Sequence, residues 1–161
     1  MKLYIKQKLF SIKQDFNIYN DKGQEVYEVK GELLSWGRKL HLIDTQSKEE
    51  VAFLKQKVLS LFVHMDVFVD GDHMTAIKQK FSLFKPKFVI NDLDWTIEGN
   101  IWQHDFTIRN AKGRTIAKFH KKFLSWSDTF EIDIVDDEAD PILALAVILA
   151  VDLATDISES N

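Results

Sequence analysis

Apolar and polar positions alternate with a period of two through most of the first 135 residues, and then one continuous apolar block follows. Alternation of that kind marks half-buried strands. Leu3–Leu9 sets Leu3, Ile5 and Gln7 against Tyr4, Lys6 and Lys8, its apolar face fading towards the end. Asp15–Asn20 and Gln24–Lys30 flank Asp21-Lys22-Gly23, where glycine supplies the positive φ of a hairpin turn. Lys39–Asp44 and Glu50–Lys57 come next, then Phe62–Val69 and His73–Phe81 joined by Asp70-Gly71-Asp72. Beyond Pro86 lie Lys87–Asn91, Asp94–Glu98, His104–Arg109, Arg114–Lys122 and Asp128–Val135. The pattern predicts twelve strands.

The block that follows predicts a helix over about Asp140–Thr155. Asp140 can cap it and Pro141 suits its first position. From Ile142 to Val151 every residue is apolar, so no face is left for water. A bilayer crossing needs about 20 apolar residues, and a run of roughly 10–14 reads as a core helix. Asp152 interrupts the apolar face beyond the midpoint. Its carboxylate is expected either near solvent at a barrel mouth or paired with a Lys, Arg or Trp N–H. A barrel of about eight strands is filled by its own side chains, so twelve strands leave a lumen that one helix can plug. The fold class expected is mainly β: a closed twelve-stranded antiparallel barrel around a central hydrophobic C-terminal α-helix, residues 1–161 forming one domain.

The strands also repeat. Phe16–Trp36 aligns with Phe106–Trp126 without a gap, matching Phe16/Phe106, Ile18/Ile108, Asn20/Asn110, Lys22/Lys112, Gly23/Gly113 and Leu34-Ser35-Trp36/Leu124-Ser125-Trp126. Ile5-Lys-Gln-Lys8 is echoed by Ile77-Lys-Gln-Lys80. Two halves related by a pseudo-two-fold axis are expected, with Trp36 and Trp126 packing at barrel rims.

These segments carry a family resemblance. The two Ile-Lys-Gln-Lys strands, the two Phe-x-Ile-x-Asn-x-Lys-Gly hairpins, Trp95-Thr-Ile-Glu-Gly99 and the closing Ala146–Asp152 resemble the LURP-one-related family, with its bacterial YxjI-like members and its tubby C-terminal-like fold. The resemblance covers nearly the whole chain. It implies a barrel threaded by the terminal helix, and no catalytic residues. Eukaryotic proteins of that fold associate with membranes, tubby through phosphoinositide headgroups. This chain differs in its acidity and its lack of cysteine.

Composition narrows the chemistry. The formal charge is −4, with basic residues in excess over the first ninety positions and acidic ones over the remainder. That balance does not suit nucleic acid. There is no cysteine, so disulfides and thiolate chemistry are excluded. The five histidines fall in no metal-binding spacing, and His104 reads as a surface residue. The acidic run Glu131–Asp140 reads as a solvated face with a helix cap. No cofactor and no metal are expected, and no enzymatic activity. The candidate binding residues are Lys6, Lys8, Lys78, Lys80, Lys118, Lys121 and Lys122, on the outer surface. The expected partners are an anionic membrane surface or its phosphorylated headgroups, or another protein. The alternative is an enzyme or small-molecule-binding protein using a surface pocket on the barrel. A cytoplasmic location, peripheral at the membrane, fits either reading.

Overall fold

The computed structural model of the protein describes residues 1–6, 15–34, 36–124 and 127–161. Its strands are β1 (Lys2–Ile5), β2 (Phe16–Asn20), β3 (Glu25–Leu34), β4 (Gly37–Asp44), β5 (Glu50–Gln56), β6 (His64–Val69), β7 (Asp72–Lys80), β8 (Lys87–Ile90), β9 (Thr96–Asn100), β10 (Asp105–Arg109), β11 (Thr115–Leu124) and β12 (Ser127–Ile134). A 3-10 turn, Ile101–Gln103, precedes β10, and α1 spans Pro141–Ser160. Except for β8 and β9, each strand pairs antiparallel with its sequence neighbour, and β1 pairs with β12, so the sheet is an up-and-down ring. One rung is missing. β8 and β9 are the two ends of the sheet order and share no ladder, so the barrel is nearly closed rather than closed.

The helix threads the ring. Asp140 accepts hydrogen bonds from the backbone N–H groups of Ile142 and Leu143, and Pro141 occupies the first turn, as the sequence implies. α1 extends five residues past the expected Thr155, because Ile157 continues the buried face while Asp156 and Glu159 turn outward. By length and composition α1 could cross a membrane, yet its residues from Leu143 to Thr155 are all buried against the inward side chains of the strands. Leu145, Val147, Ile148, Ala150 and Val151 are wholly inaccessible. Phe106, Phe119 and Phe130 stack as a ladder on the wall beside it, with centroid separations of 5.2 and 5.6 Å.

The repeat is real at the hairpin level. Asn20 and Asn110 each accept bonds from the backbone N–H groups two and four residues on, and Gly23 and Gly113 have φ of +76° and +77°. Both hairpins shift register just before the turn, at Ile18/Tyr19 and Ile108/Arg109, as do β4–β5 at Leu42/Ile43 and β6–β7 at Val67/Phe68. The two repeat hairpins lie four strands apart around the ring, whereas a two-fold requires six. β1, which ends at Ile5, and β7, which contains Ile77-Lys-Gln-Lys80, do lie six apart, on opposite sides of the barrel, while Gln7 and Lys8 of the first copy fall outside the described residues.

Because every connection joins neighbours, the connections alternate between two ends. The turn end holds β2–β3, β4–β5, β6–β7, β8–β9 and β10–β11, together with the start of α1. The loop end holds β3–β4, β5–β6, β7–β8, β9–β10 and the C-terminus of α1.

Candidate functional site

The two ends differ in chemistry. At the loop end, segment 57–63 between β5 and β6 reads Lys-Val-Leu-Ser-Leu-Phe-Val, and 80–87 spanning β7 to β8 reads Lys-Phe-Ser-Leu-Phe-Lys-Pro-Lys. Neither contains a carboxylate. Leu59 and Leu61 are each 92% exposed and Phe84 94%, with Phe81, Leu83 and Trp36 of the β3–β4 connection also largely exposed. Single exposed apolar residues are ordinary, but a cluster of them on adjacent loops marks a surface that meets another apolar phase or partner. Trp36 therefore projects outward instead of packing at the rim, and Trp126 falls outside the described residues.

The turn end is acidic. Asp21, Asp44, Glu49, Asp70, Asp72, Asp92, Asp94 and the segment Asp136–Asp140 all sit in its turns. Of the acidic run, Asp136 pairs with Arg114 at 3.7 Å and Asp140 caps α1, which gives both a structural use.

The lysines expected to bind do not form one group. Lys6, with its ammonium 4.4 Å from the Tyr19 ring centroid, directly follows β1, across the ring from Lys78 and Lys80 on β7. Lys8 lies outside the described residues. Lys118 and Lys122 share the outer face of β11 with Glu131 and Asp133 of β12 beside them. Lys122 is held by Glu131 at 2.5 Å and also faces the Tyr4 ring. Burial pushes the Glu131 carboxyl up, but its bond to Lys122, with Tyr4 and His120, brings it below the ordinary value. Lys121 is on the inner face, above the ring of the buried Phe130, because strand alternation puts it on the side of Phe119. Lys80 alone of the set lies in the carboxylate-free loop segments.

Where α1 reaches the loop end, two of its carboxylates are paired. Arg38 of β4 holds Asp156 at 2.5 Å. Asp152, 1% exposed, receives the Nδ1 of His104 at 2.6 Å. The sequence pattern places His104 in a strand and on the surface; instead Asn100 caps the 3-10 turn through Trp102 and Gln103 N–H groups, and His104 ends it at φ +54°. That left-handed cap swings the imidazole into the barrel mouth, against Phe119 and Phe130. The bond to Asp152 raises the His104 pKa, outweighing burial, which lowers it. Burial raises Asp152, and His104 opposes that. Both shifts mean that the folded pair retains protons more tightly than the separate groups. Asp152 Oδ2 is buried without a hydrogen-bond partner among the described residues.

The missing rung between β8 and β9 opens as a cleft at the loop end. It has a volume of about 670 Å³ and is walled by Phe84, Phe88, Ile97, Ile101 and Trp102, with Lys85 and Lys87 at its margin.

Three comparisons bear on this arrangement. The family model described as LURP-one-related matches residues 1–152. The uncharacterized protein YxjI of Bacillus subtilis (strain 168) is 34% identical over 153 residues, covering 95% of this chain and 93% of that protein. A crystal structure of an Arabidopsis thaliana protein superposes with a TM-score of 0.64 at 18% identity, over 94% of this chain and 90% of the other, and so shares the fold.

Proposed function

The chain belongs to the LURP-one-related family, and from that premise we propose that it is a non-enzymatic binding domain that docks its loop end on an anionic membrane surface. The carrying observation is the pairing of fully exposed Leu59, Leu61 and Phe84 with Lys57, Lys80, Lys85 and Lys87 in loops free of carboxylates. The acidic Asp136–Asp140 segment, which would oppose such docking, is at the far end of the barrel. In this reading the protein works in the cytoplasm without a cofactor, peripheral to the leaflet whose lipids are negatively charged.

Magnitudes assign the roles. A basic residue near an anionic surface contributes about 1 kcal/mol, whereas fully burying a Leu or Phe side chain contributes about 1.5–3 kcal/mol. Insertion of the apolar tips thus sets the affinity, and the lysines set the preference for anionic headgroups. Co-sedimentation with vesicles rich in phosphatidylserine tests this. Wild-type protein pellets with them at low salt and, more weakly, at physiological salt, where exposed charges are screened beyond about 8 Å. Leu59→Ser/Leu61→Ser/Phe84→Ser loses binding at both salts, and Lys85→Glu/Lys87→Glu loses the preference for anionic vesicles. Wild-type protein that stays in the supernatant at low salt overturns the reading.

A further inference from the structure

The gap between β8 and β9 is more than a defect in the ring. The two strands are joined at the turn end by residues 91–95, and the seam between them holds a second cleft of about 600 Å³, with Asp94 in its lining, towards the turn end and the 670 Å³ cleft towards the loop end. That size falls within the range of roughly 300–1,000 Å³ typical of small-molecule sites. Its floor reaches the core: Phe88 and Ile101 are buried, and Ile97, paired with the buried Ile108, faces inward. Its walls are otherwise Phe84, Pro86 and Trp102, and its polar groups are Ser82 and Asn100. Among the described residues, the charged ones lining it are Lys85 and Lys87, both exposed, and no Asp or Glu lines it.

An apolar slot with cations at one margin is complementary to a molecule with a hydrocarbon body and an anionic head. We propose that the β8–β9 cleft binds one single-chain anionic amphiphile, of the fatty-acid or lysophosphatidic-acid class, with the chain against Phe88, Ile97, Ile101 and Trp102 and the head between Lys85 and Lys87. A peptide strand is a poorer occupant: it needs a long free edge, and β8 offers four residues. The site opens beside the 80–87 loop assigned to the membrane, so it deepens that reading, but it requires no bilayer to fill. Gly99, with φ +108°, shapes the wall; a Cβ there would meet the Asp105 carbonyl at 2.7 Å, so no side chain blocks the slot at that position.

The test uses oleate below its aggregation threshold, measured by calorimetry, and a stearate carrying a doxyl quencher, read by tryptophan fluorescence. Wild-type protein binds one oleate per chain, and the labelled stearate quenches a tryptophan signal that Trp102→Phe removes. Ile97→Trp, which fills the slot, weakens oleate at least tenfold while vesicle co-sedimentation stays intact. Lys85→Glu/Lys87→Glu also weakens oleate at least tenfold and leaves a neutral monoacylglycerol unaffected. Circular dichroism and the melting temperature establish that each variant is folded; should Ile97→Trp be unfolded, the lysine pair decides. No saturable oleate binding by wild type, or binding indifferent to the folded variants, overturns the proposal even where vesicles are bound. Oleate bound one to one by a protein that ignores vesicles upholds the cleft and removes the membrane reading instead.

Discussion

Asp152 occupies a position that an all-apolar helix has no reason to tolerate. It is 1% exposed, beyond the middle of α1, and bonded by one oxygen to His104. The pair makes folding depend on pH in a definite direction. His104 has a folded pKa above its ordinary value near 6.5, so its contribution is complete below about 6.5 and is lost as pH rises through the raised folded value. Asp152, raised by burial, acts in the same sense, since the folded state again holds the extra proton. Urea unfolding is expected to show wild-type stability falling from pH 6 to pH 9, and Asp152→Asn should flatten that slope. At pH 6, His104→Ala should cost on the order of 1–3 kcal/mol, because it strands a buried carboxyl. The cost stays below the loss for a fully buried pair, because the imidazole remains 31% exposed. A slope identical in wild type and Asp152→Asn would show that the pair does not govern it.

At the scale of elements, periodicity carried most of the information. Strand alternation located β2 to β12 within a few residues, because one face of each strand turns to the core around α1 and the other meets water. The repeat makes its own prediction: Gly23 and Gly113 share the left-handed region with nothing within 4 Å of a added Cβ, so strain alone acts there. Gly23→Ala and Gly113→Ala should therefore each cost about 1–2 kcal/mol, and equally, in paired denaturant titrations. Leu145→Asp should abolish soluble folding, since an unpaired charge would lie at the centre of the barrel; a soluble variant with an unchanged melting temperature would contradict the central helix. What the pattern hid has a physical cause. Phe62 and Phe81 read as strand ends because an apolar residue on an exposed loop looks, in sequence, the same as one in a core. The partner of Asp152 was hidden because alternation ran the strand through His104, although Asn100 before a three-residue turn is a capping signal that could have ended it. The open seam was not legible at all: pairing between β8 and β9 depends on how far the ring's circumference closes, which no local pattern encodes.

For the whole molecule, the decisive feature is polarity from one end of the barrel to the other: acidic turns where α1 begins, apolar tips and lysines where it ends. A net charge of −4 describes neither end. Averaged over the surface it argues against anionic membranes, yet the separation lets one end approach while the other remains in water. The absence of cysteine allows this to be measured without background. Single cysteines at Leu61 and Leu83 of the loop end, and at Lys112 of the turn end, would each carry an environment-sensitive fluorophore, with phosphatidylserine-rich vesicles added at physiological salt. A blue shift and protection from aqueous iodide are expected at positions 61 and 83, and neither at 112. Equal responses at both ends, or a response at 112 alone, would contradict docking by the loop end.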